Sequence, residues 1–195
     1  AKLSLLDFTH DVNGIIDIVR RFPGMVELLP FEDPARYADP ALWKQLRADL
    51  GAGWPTVDEA NLRAASATWA LLGGAEPDPK TMVYVAGCQR ATVTDYRLVD
   101  DDSRSPRKRI EFIATAEGDG TVTWASGRLA GVPTYYAPDT AHDELCSNAD
   151  DLRVFRGYVE LLTTGKTDQL PASPPNVARS ASGEALTFVL PPLPV

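Results

Sequence analysis

Along the first 80 residues, apolar side chains recur every three or four positions, which is the spacing of one face of an α-helix. The pattern predicts helices in the stretches DVNGIIDIVRRF, DPALWKQLRADL and TVDEANLRAASATWALLGG. Asp39 is the predicted N-cap of the second helix, and Thr56 and Glu59 have capping-box spacing before the third. The positions expected to share a face are Ile15, Ile18, Val19 and Phe22 in the first helix, Trp43, Leu46 and Leu50 in the second, and Leu62, Ala65, Trp69 and Leu72 in the third.

After residue 80 the pattern changes to short runs rich in β-branched and aromatic residues. The nearly all-apolar run TMVYVAG predicts a strand buried on both faces, ATVTDYRLV and RIEFIATA predict a hairpin, and PTYYAP and ALTFVL predict further strands. A later helical pattern, ADDLRVFRGYVELLTTG, predicts a helix that directs Leu152, Phe155, Val159 and Leu162 inward. We therefore expect an α/β fold class, with a helical lobe at residues 1–80 and an α/β part with a Pro-rich tail at residues 81–195.

Charge and composition exclude some classes of function. The net charge is −8 and the pI about 4.7, and this acidity argues against nucleic acid as a main partner because phosphate binding needs a basic surface. No apolar run approaches the length that spans a bilayer, and no N-terminal segment has a signal-peptide pattern. The two cysteines, Cys88 and Cys146, do not have metal-ligand spacing. We expect a cytoplasmic protein with no metal and no cofactor.

Two polar residues stand in loops that follow predicted strands. Asp119 lies between two glycines in EGDGTVTWASG, and His142 lies downstream in PDTAHDEL. A carboxylate that orients an imidazole is the acid–base part of a Ser-His-Asp triad, and the order Asp then His is that of α/β-hydrolases. The alternatives are that Asp119 only forms a turn or caps a helix that starts at Thr121, and that His142 is solvated. The two side chains could meet if their strands are neighbours. If the pair is real, a carboxylate oxygen lies about 2.6–3.2 Å from a ring nitrogen, or somewhat further in an incomplete site.

The local sequences add a resemblance. The segments EGDGTVTWASG, TYYAPDTAHDEL and VELLTTGKTDQLP resemble the C-terminal part of lecithin:cholesterol acyltransferase-like α/β-hydrolases, and DIVRRFPGMVELLPF resembles the cap segment of that family. The resemblance implies that Asp119 is the triad acid and His142 the base. It implies a fold that is the C-terminal portion of an α/β-hydrolase sheet with an N-terminal helical cap-like lobe. Thr123 departs from the family, which often has proline at this position.

The nucleophile of such a triad is not found in these residues. No G-x-S-x-G motif occurs, Ser66 lies within a predicted helix, and Ser126 follows the acid in the wrong order. Cys88 ends a strand, but Arg90 stands where the elbow needs glycine, so we expect Cys88 to be buried and inert. The resemblance therefore implies that the serine and the oxyanion-hole donors precede Ala1.

The leading hypothesis is an acyl-ester hydrolase or acyltransferase acting on an acyl ester or lipid-like substrate. In it the helical lobe forms a cap, for which the candidate lining residues are Leu28, Leu29, Phe31, Trp43 and Trp54. An N-terminal segment or a second chain would complete the sheet, and the Pro-rich tail would lead to a possible downstream domain. The alternatives are a non-catalytic docking or regulatory module of a multidomain protein and, third, a small α/β binding protein.

Overall fold

The protein contains both helices and strands, as seen in a computed structural model that describes residues 14, 18–29, 33–51, 54–102, 108–147, 152–175 and 185–186. It divides into two units, formed by residues 1–75, 98–111 and 188–195 and by residues 76–97 and 112–187. At this coarse level the fold is α/β, as the sequence predicts.

The described helices of the first unit are α1 (Pro23–Glu27), α2 (Pro34–Ala38), α3 (Pro40–Leu50) and α4 (Glu59–Gly73). The first three each have a proline in the first turn, where the missing N–H has no helical partner to lose. Asp39 caps α3, because its carboxylate accepts a hydrogen bond from the backbone N–H of Ala41 at 2.8 Å. The predicted N-cap of this helix is confirmed.

The predicted capping box before α4 is wrong. The N-cap is Asp58, whose carboxylate accepts a hydrogen bond from the N–H of Ala60 at 2.7 Å, so Glu59 is already the first helical residue. The hydroxyl of Thr56 instead accepts a hydrogen bond from the Arg20 guanidinium at 3.1 Å. A charged carboxylate is the stronger acceptor for helix N–H groups, and here it sits at the position that reaches them.

The core of the first unit lies on one face of α4. Leu62, Ala65 and Trp69 are buried there, as predicted, and the Trp69 indole N–H donates to the carbonyl of Glu27 at 3.1 Å. Leu72 was expected on the same face but is 59% exposed, because it stands in the last turn, where the helix leaves the core. The buried residues of α1, α2 and α3 are Val26, Tyr37 and Leu46.

Several predicted apolar positions of the lobe have a different outcome. Ile18 and Phe22 are exposed, and so is Leu28, at 77%. Ile15 and Phe31 lie outside the described residues. Phe22 is the residue before α1 rather than part of a longer helix, which removes it from the predicted stripe.

A parallel pair of strands forms the framework of the second unit. Strand β1 (Tyr84–Gly87) pairs with β4 (Thr134–Ala137), with Gly87 opposite Ala137. The predicted strand at residues 81–87 is therefore too long. Met82 and Val83 precede β1 and are exposed, whereas Ala86 and Gly87 at its end are buried.

A second sheet has the strand order β2, β3, β5, where β2 is Thr92–Asp100, β3 is Lys108–Thr115 and β5 is Ala185–Leu186. The predicted pairing of the two strands around the charged turn is confirmed, since β2 and β3 are neighbours. Strand β5 pairs antiparallel with β3, and the rest of the predicted run ALTFVL lies outside the described residues.

The second unit also contains a short helix, α5 (Trp124–Gly127), and a longer one, α6 (Leu152–Thr164). The predicted inward face of α6 is wrong. Phe155, Val159 and Leu162 are 47%, 44% and 87% exposed, whereas Val154 is fully buried and packs with Ala137 of β4 in a core cluster. The helix therefore buries a face next to the predicted one.

Candidate functional site

Asp119 is presented by a tight turn whose geometry depends on glycine. Gly120 has φ +91°, a left-handed conformation that side chains disfavour. The N–H of Asp119 donates to the carbonyl of Val122 at 3.1 Å, and its Oδ1 accepts from the N–H groups of Thr121 and Val122 at 3.0 and 2.7 Å. One carboxylate oxygen thus holds the turn, which leaves Oδ2 for another partner.

The partner of Oδ2 is His142. Nδ1 of the ring lies 2.9 Å from Oδ2, which confirms the predicted distance. The backbone N–H of His142 also donates to the carbonyl of Asp119, at 3.0 Å. Two hydrogen bonds therefore join the loops, one through the side chains and one through the backbone.

The alternative in which Asp119 caps a helix that starts at Thr121 is wrong. Helix α5 begins at Trp124, and its N-cap is Thr123, whose hydroxyl accepts from the N–H of Ser126 at 3.1 Å. Thr123, the position that departs from the family pattern, therefore has a structural role of its own in starting α5.

The two members of the pair differ in burial. The Asp119 side chain is 5% exposed and the His142 side chain 51%. A carboxylate accepts hydrogen bonds, so a neutral ring that donates to it from Nδ1 keeps a lone pair on Nε2. This arrangement allows the ring to take a proton at Nε2 while the buried carboxylate holds its orientation.

The two loops meet although their preceding strands are not neighbours. Strand β3 precedes Asp119 and lies in the sheet with β2 and β5, whereas β4 precedes His142 and pairs with β1. The sequence suggested neighbouring strands as a way for the two side chains to meet, and the structure brings them together without it. The residues after β1 make the connection, because Cys88 N–H donates to Ala137 O at 3.1 Å and Gln89 N–H donates to Gly118 O at 2.7 Å.

Gly87, the last residue of β1, fits closely beneath the pair. A Cβ added there would lie 2.6 Å from the carbonyl oxygen of Thr140 and 2.7 Å from the Cβ of Asp119. The indole N–H of Trp124 donates to the Gly87 carbonyl at 2.8 Å, and its ring contacts Tyr136 edge-on at 4.9 Å between centroids. The end of β1 is therefore the surface on which both loops rest.

The loop that carries His142 has its own supports. Asp139, the second residue after β4, adopts a left-handed φ of +56°, which aspartate tolerates better than most residues. The carboxylate of Glu144 accepts from Ala141 N–H at 2.8 Å, and the hydroxyl of Tyr158 on α6 donates to Leu145 O at 2.8 Å. Burial raises the pKa of Tyr158 to about 12, so this phenol remains a donor at neutral pH.

Cys88 lies next to the site and is not arranged as a nucleophile. It is buried at 4% exposure, and its thiol donates weakly to Ala86 O at 3.8 Å. Burial, together with the nearby charge of Asp139, raises its pKa to about 11. The expectation that Cys88 is buried is confirmed, and a thiol with this pKa is a poor nucleophile at neutral pH.

Sequence reasoning missed Gly87, Thr92 and Trp124, which support the site from positions far along the chain. The N–H of Gly120 donates to the Thr92 hydroxyl at 2.9 Å across 28 residues. The position of Gly87 at the end of a buried strand is the one sequence signal that could have found it. His10, the other histidine, lies outside the described residues.

No family model, curated protein or solved structure matches this chain. Within the described residues, no group of three or more His, Cys, Asp or Glu side chains could hold a metal ion. Among the helices of those same residues, none has the length and apolar character needed to cross a membrane.

Proposed function

We propose that this chain supplies the acid and the base of a serine-hydrolase triad that acts on acyl esters. The observation that supports the proposal best is the contact of 2.9 Å between Asp119 Oδ2 and His142 Nδ1, with the carboxylate buried and the ring half exposed. If Asp119 only stabilised its turn, Oδ1 would be enough, and its second carboxylate oxygen would not need to contact a histidine 23 residues away.

The roles follow from the two ring nitrogens. Asp119 fixes the proton on Nδ1, and Nε2 removes the proton from a serine hydroxyl as its oxygen attacks the ester carbonyl. The same proton then passes from Nε2 to the departing alkoxide, which leaves an acyl-serine. Water or an alcohol next gives its proton to Nε2 and attacks the acyl group. As the acyl–serine bond breaks, Nε2 returns this proton to the departing serine oxygen, so the free enzyme is restored and the product is an acid or a new ester.

The serine in this proposal comes from a segment outside these residues. We infer that the chain is the C-terminal portion of a lipase-type α/β-hydrolase related to lecithin:cholesterol acyltransferases, possessing the Asp and His loops. The parallel pair of β1 and β4 supports this inference, because parallel strands ordinarily belong to larger sheets covered on both faces. A missing segment or a second chain would extend that sheet. The free thiols of Cys88 and Cys146 are compatible with the cytoplasm as the proposed location.

The test uses the full-length gene product and a fluorophosphonate probe that reacts with activated serines. We expect one labelled serine, outside residues 1–195, and turnover of a chromogenic acyl ester. His142→Ala should lower kcat on the order of 10⁶-fold, and Asp119→Asn roughly 10⁴-fold, because the amide favours the wrong ring tautomer.

Glu117→Gln is the matched control, because Glu117 is an exposed acid two residues before Asp119. It should leave kcat within about twofold of the wild type, since a surface substitution away from the reacting groups has little effect. Ester turnover that survives His142→Ala would rule out the triad.

A second candidate is a non-catalytic docking or regulatory module. The exposed apolar residues Phe155, Val159 and Leu162 on α6 favour it, because apolar side chains aligned on a surface commonly mark binding regions. The same probe separates the two functions: a full-length protein that is folded but never labelled supports the module.

A further inference from the structure

The turn that carries Asp119 encloses the side chain of a residue from another strand. Thr92, the first residue of β2, is fully buried. Its hydroxyl accepts a hydrogen bond from the N–H of Gly120 at 2.9 Å. On the other side of Asp119, a Cβ added at Gly118 would lie 2.7 Å from the Cβ of Thr92. Thr92 thus contacts both glycines that flank the acid.

The contacts of Thr92 help to fix the direction of the Asp119 carboxylate. Asp119 Oδ1 is bonded to the N–H groups of Thr121 and Val122, so the side chain follows the backbone of the turn. Gln89 N–H holds Gly118 at 2.7 Å, and Thr92 holds Gly120. If the hydroxyl of Thr92 is removed, the Gly120 side of the turn loses its bond, and Oδ2 is free to drift from His142.

We propose that Thr92 is a positioning residue for the Asp119–His142 pair. Its hydroxyl holds the turn in the geometry that keeps Oδ2 of Asp119 within hydrogen-bond distance of Nδ1 of His142. Its Cβ occupies the space next to Gly118, where a side chain would otherwise lie. The importance of Thr92 for catalysis rests on the proposed function. Its effect on the pair does not, because the ring tautomer is measurable in the chain itself.

The experiment measures the tautomer of His142 by ¹⁵N NMR of the histidine-labelled 195-residue chain, with the His10 signals assigned from a His10→Gln variant. We expect the wild type to carry its proton mainly on Nδ1. In Thr92→Val, which keeps the shape but not the acceptor, the ratio of Nδ1–H to Nε2–H should fall roughly three- to tenfold, the effect of one lost hydrogen bond. Asp119→Asn defines the ratio for a ring without its carboxylate.

Two controls separate positioning from general loosening of the fold. Thr94→Val removes a hydroxyl from the same strand, one that donates to Ile113 O at 3.3 Å, and should leave the tautomer ratio unchanged. Thr92→Ser keeps the acceptor and should retain the wild-type ratio. The proposal is overturned if Thr92→Val is folded and has the wild-type tautomer ratio. It is also overturned if the tautomer ratio changes as much in Thr94→Val, or in Thr92→Ser, as it does in Thr92→Val.

A measurement on the wild type covers the case in which Thr92→Val does not fold. The amide of Gly120 should exchange with solvent at least tenfold more slowly than that of Gly131, a turn glycine with no atom near its Cβ position. Equal exchange would overturn the proposal without any variant. A tautomer shift in a full-length protein that hydrolyses no ester would leave Thr92 as a positioning residue and remove the hydrolase function instead.

Discussion

Asp119 divides its two carboxylate oxygens between a turn and a histidine. Oδ1 accepts two backbone N–H groups, and Oδ2 accepts from the ring of His142. A buried carboxylate needs such partners, because leaving a buried polar group without them costs about 1–3 kcal/mol, and a charged group costs more. The same bonds that stabilise the turn therefore fix the direction of the oxygen that orients the ring.

The two cysteines should differ in reactivity. Burial first, then the charge of Asp139, raises the Cys88 pKa to about 11, whereas Cys146 is exposed. At pH 8 only about one Cys88 thiol in a thousand is then ionised. We expect iodoacetamide to modify Cys146 at least tenfold faster than Cys88 in the folded protein, as measured by mass spectrometry.

Unfolding in urea is the control for that comparison, since it exposes Cys88 and should bring the two rates within about threefold. Faster modification of Cys88 than of Cys146 in the folded chain would contradict the burial of Cys88. It would also make Cys88, the residue directly after β1, a candidate nucleophile again.

The members of the pair could be found from the sequence, but Thr92 and Trp124, which support them, could not. Asp119 stands out because glycines flank it, and His142 is one of two histidines. Trp124 acts on Gly87 across 37 residues, and Thr92 acts on Gly120 across 28. Such contacts depend on how distant segments fold together, which local patterns do not encode.

At the scale of elements, α6 shows how a helical pattern can predict the right helix and the wrong face. Apolar residues cover two adjacent stripes of this helix, and periodicity alone cannot rank them. The distinction comes from Gly157, where an added Cβ would lie 2.6 Å from Cγ of the buried Leu170. The segment after the helix packs onto that glycine, and this contact turns the face with Val154 inward.

Gly157→Ala tests which face is buried. In an exposed helix this change stabilises by about 0.5–1 kcal/mol. Here the new methyl group meets Leu170, which is 1% exposed, so we expect a net loss of roughly 1–3 kcal/mol in the free energy of unfolding. Urea denaturation followed by circular dichroism provides the measurement.

Leu162→Gln is the companion variant on the exposed face of α6. Because Leu162 is 87% exposed, we expect a change within about 0.5 kcal/mol. If Leu162→Gln destabilised the protein more than Gly157→Ala, the face predicted from the sequence would be the buried one and the assignment above would be wrong.

For the molecule as a whole, the sequence predicted the fold class but not how the strands are divided between sheets. Helical and strand patterns predicted the α/β class and the pairing of β2 with β3. They did not predict that β3 and β4 belong to different sheets, because the partner of each strand is set by contacts remote in sequence. The pair still forms, since β1 brings the two loops together through Cys88 and Gln89.

Among the described residues of the second unit, three weak acids have raised pKa values. Burial raises the pKa of Cys88 from 9.0 to about 11 and that of Tyr158 from 10.0 to about 12, and it also raises the pKa of Tyr84. In the unfolded chain these groups ionise near their ordinary values, so above about pH 9 the unfolded state binds fewer protons than the folded state. Their contribution to stability is complete below pH 9 and is lost as the pH rises through the folded values.

We therefore expect the free energy of unfolding to decline steadily between about pH 9 and pH 11, beyond any change seen from pH 7 to 8.5. The measurement is a series of urea denaturations at half-unit intervals. Cys88→Ala and Tyr158→Phe each remove one of the linked groups, so each variant should show a shallower decline over this window, whatever its stability at pH 7. Equal slopes in the wild type and both variants would mean that these groups ionise alike in the folded and unfolded states. The description of Cys88 as buried and closely packed directly after β1, where both loops of the site rest, would then be wrong.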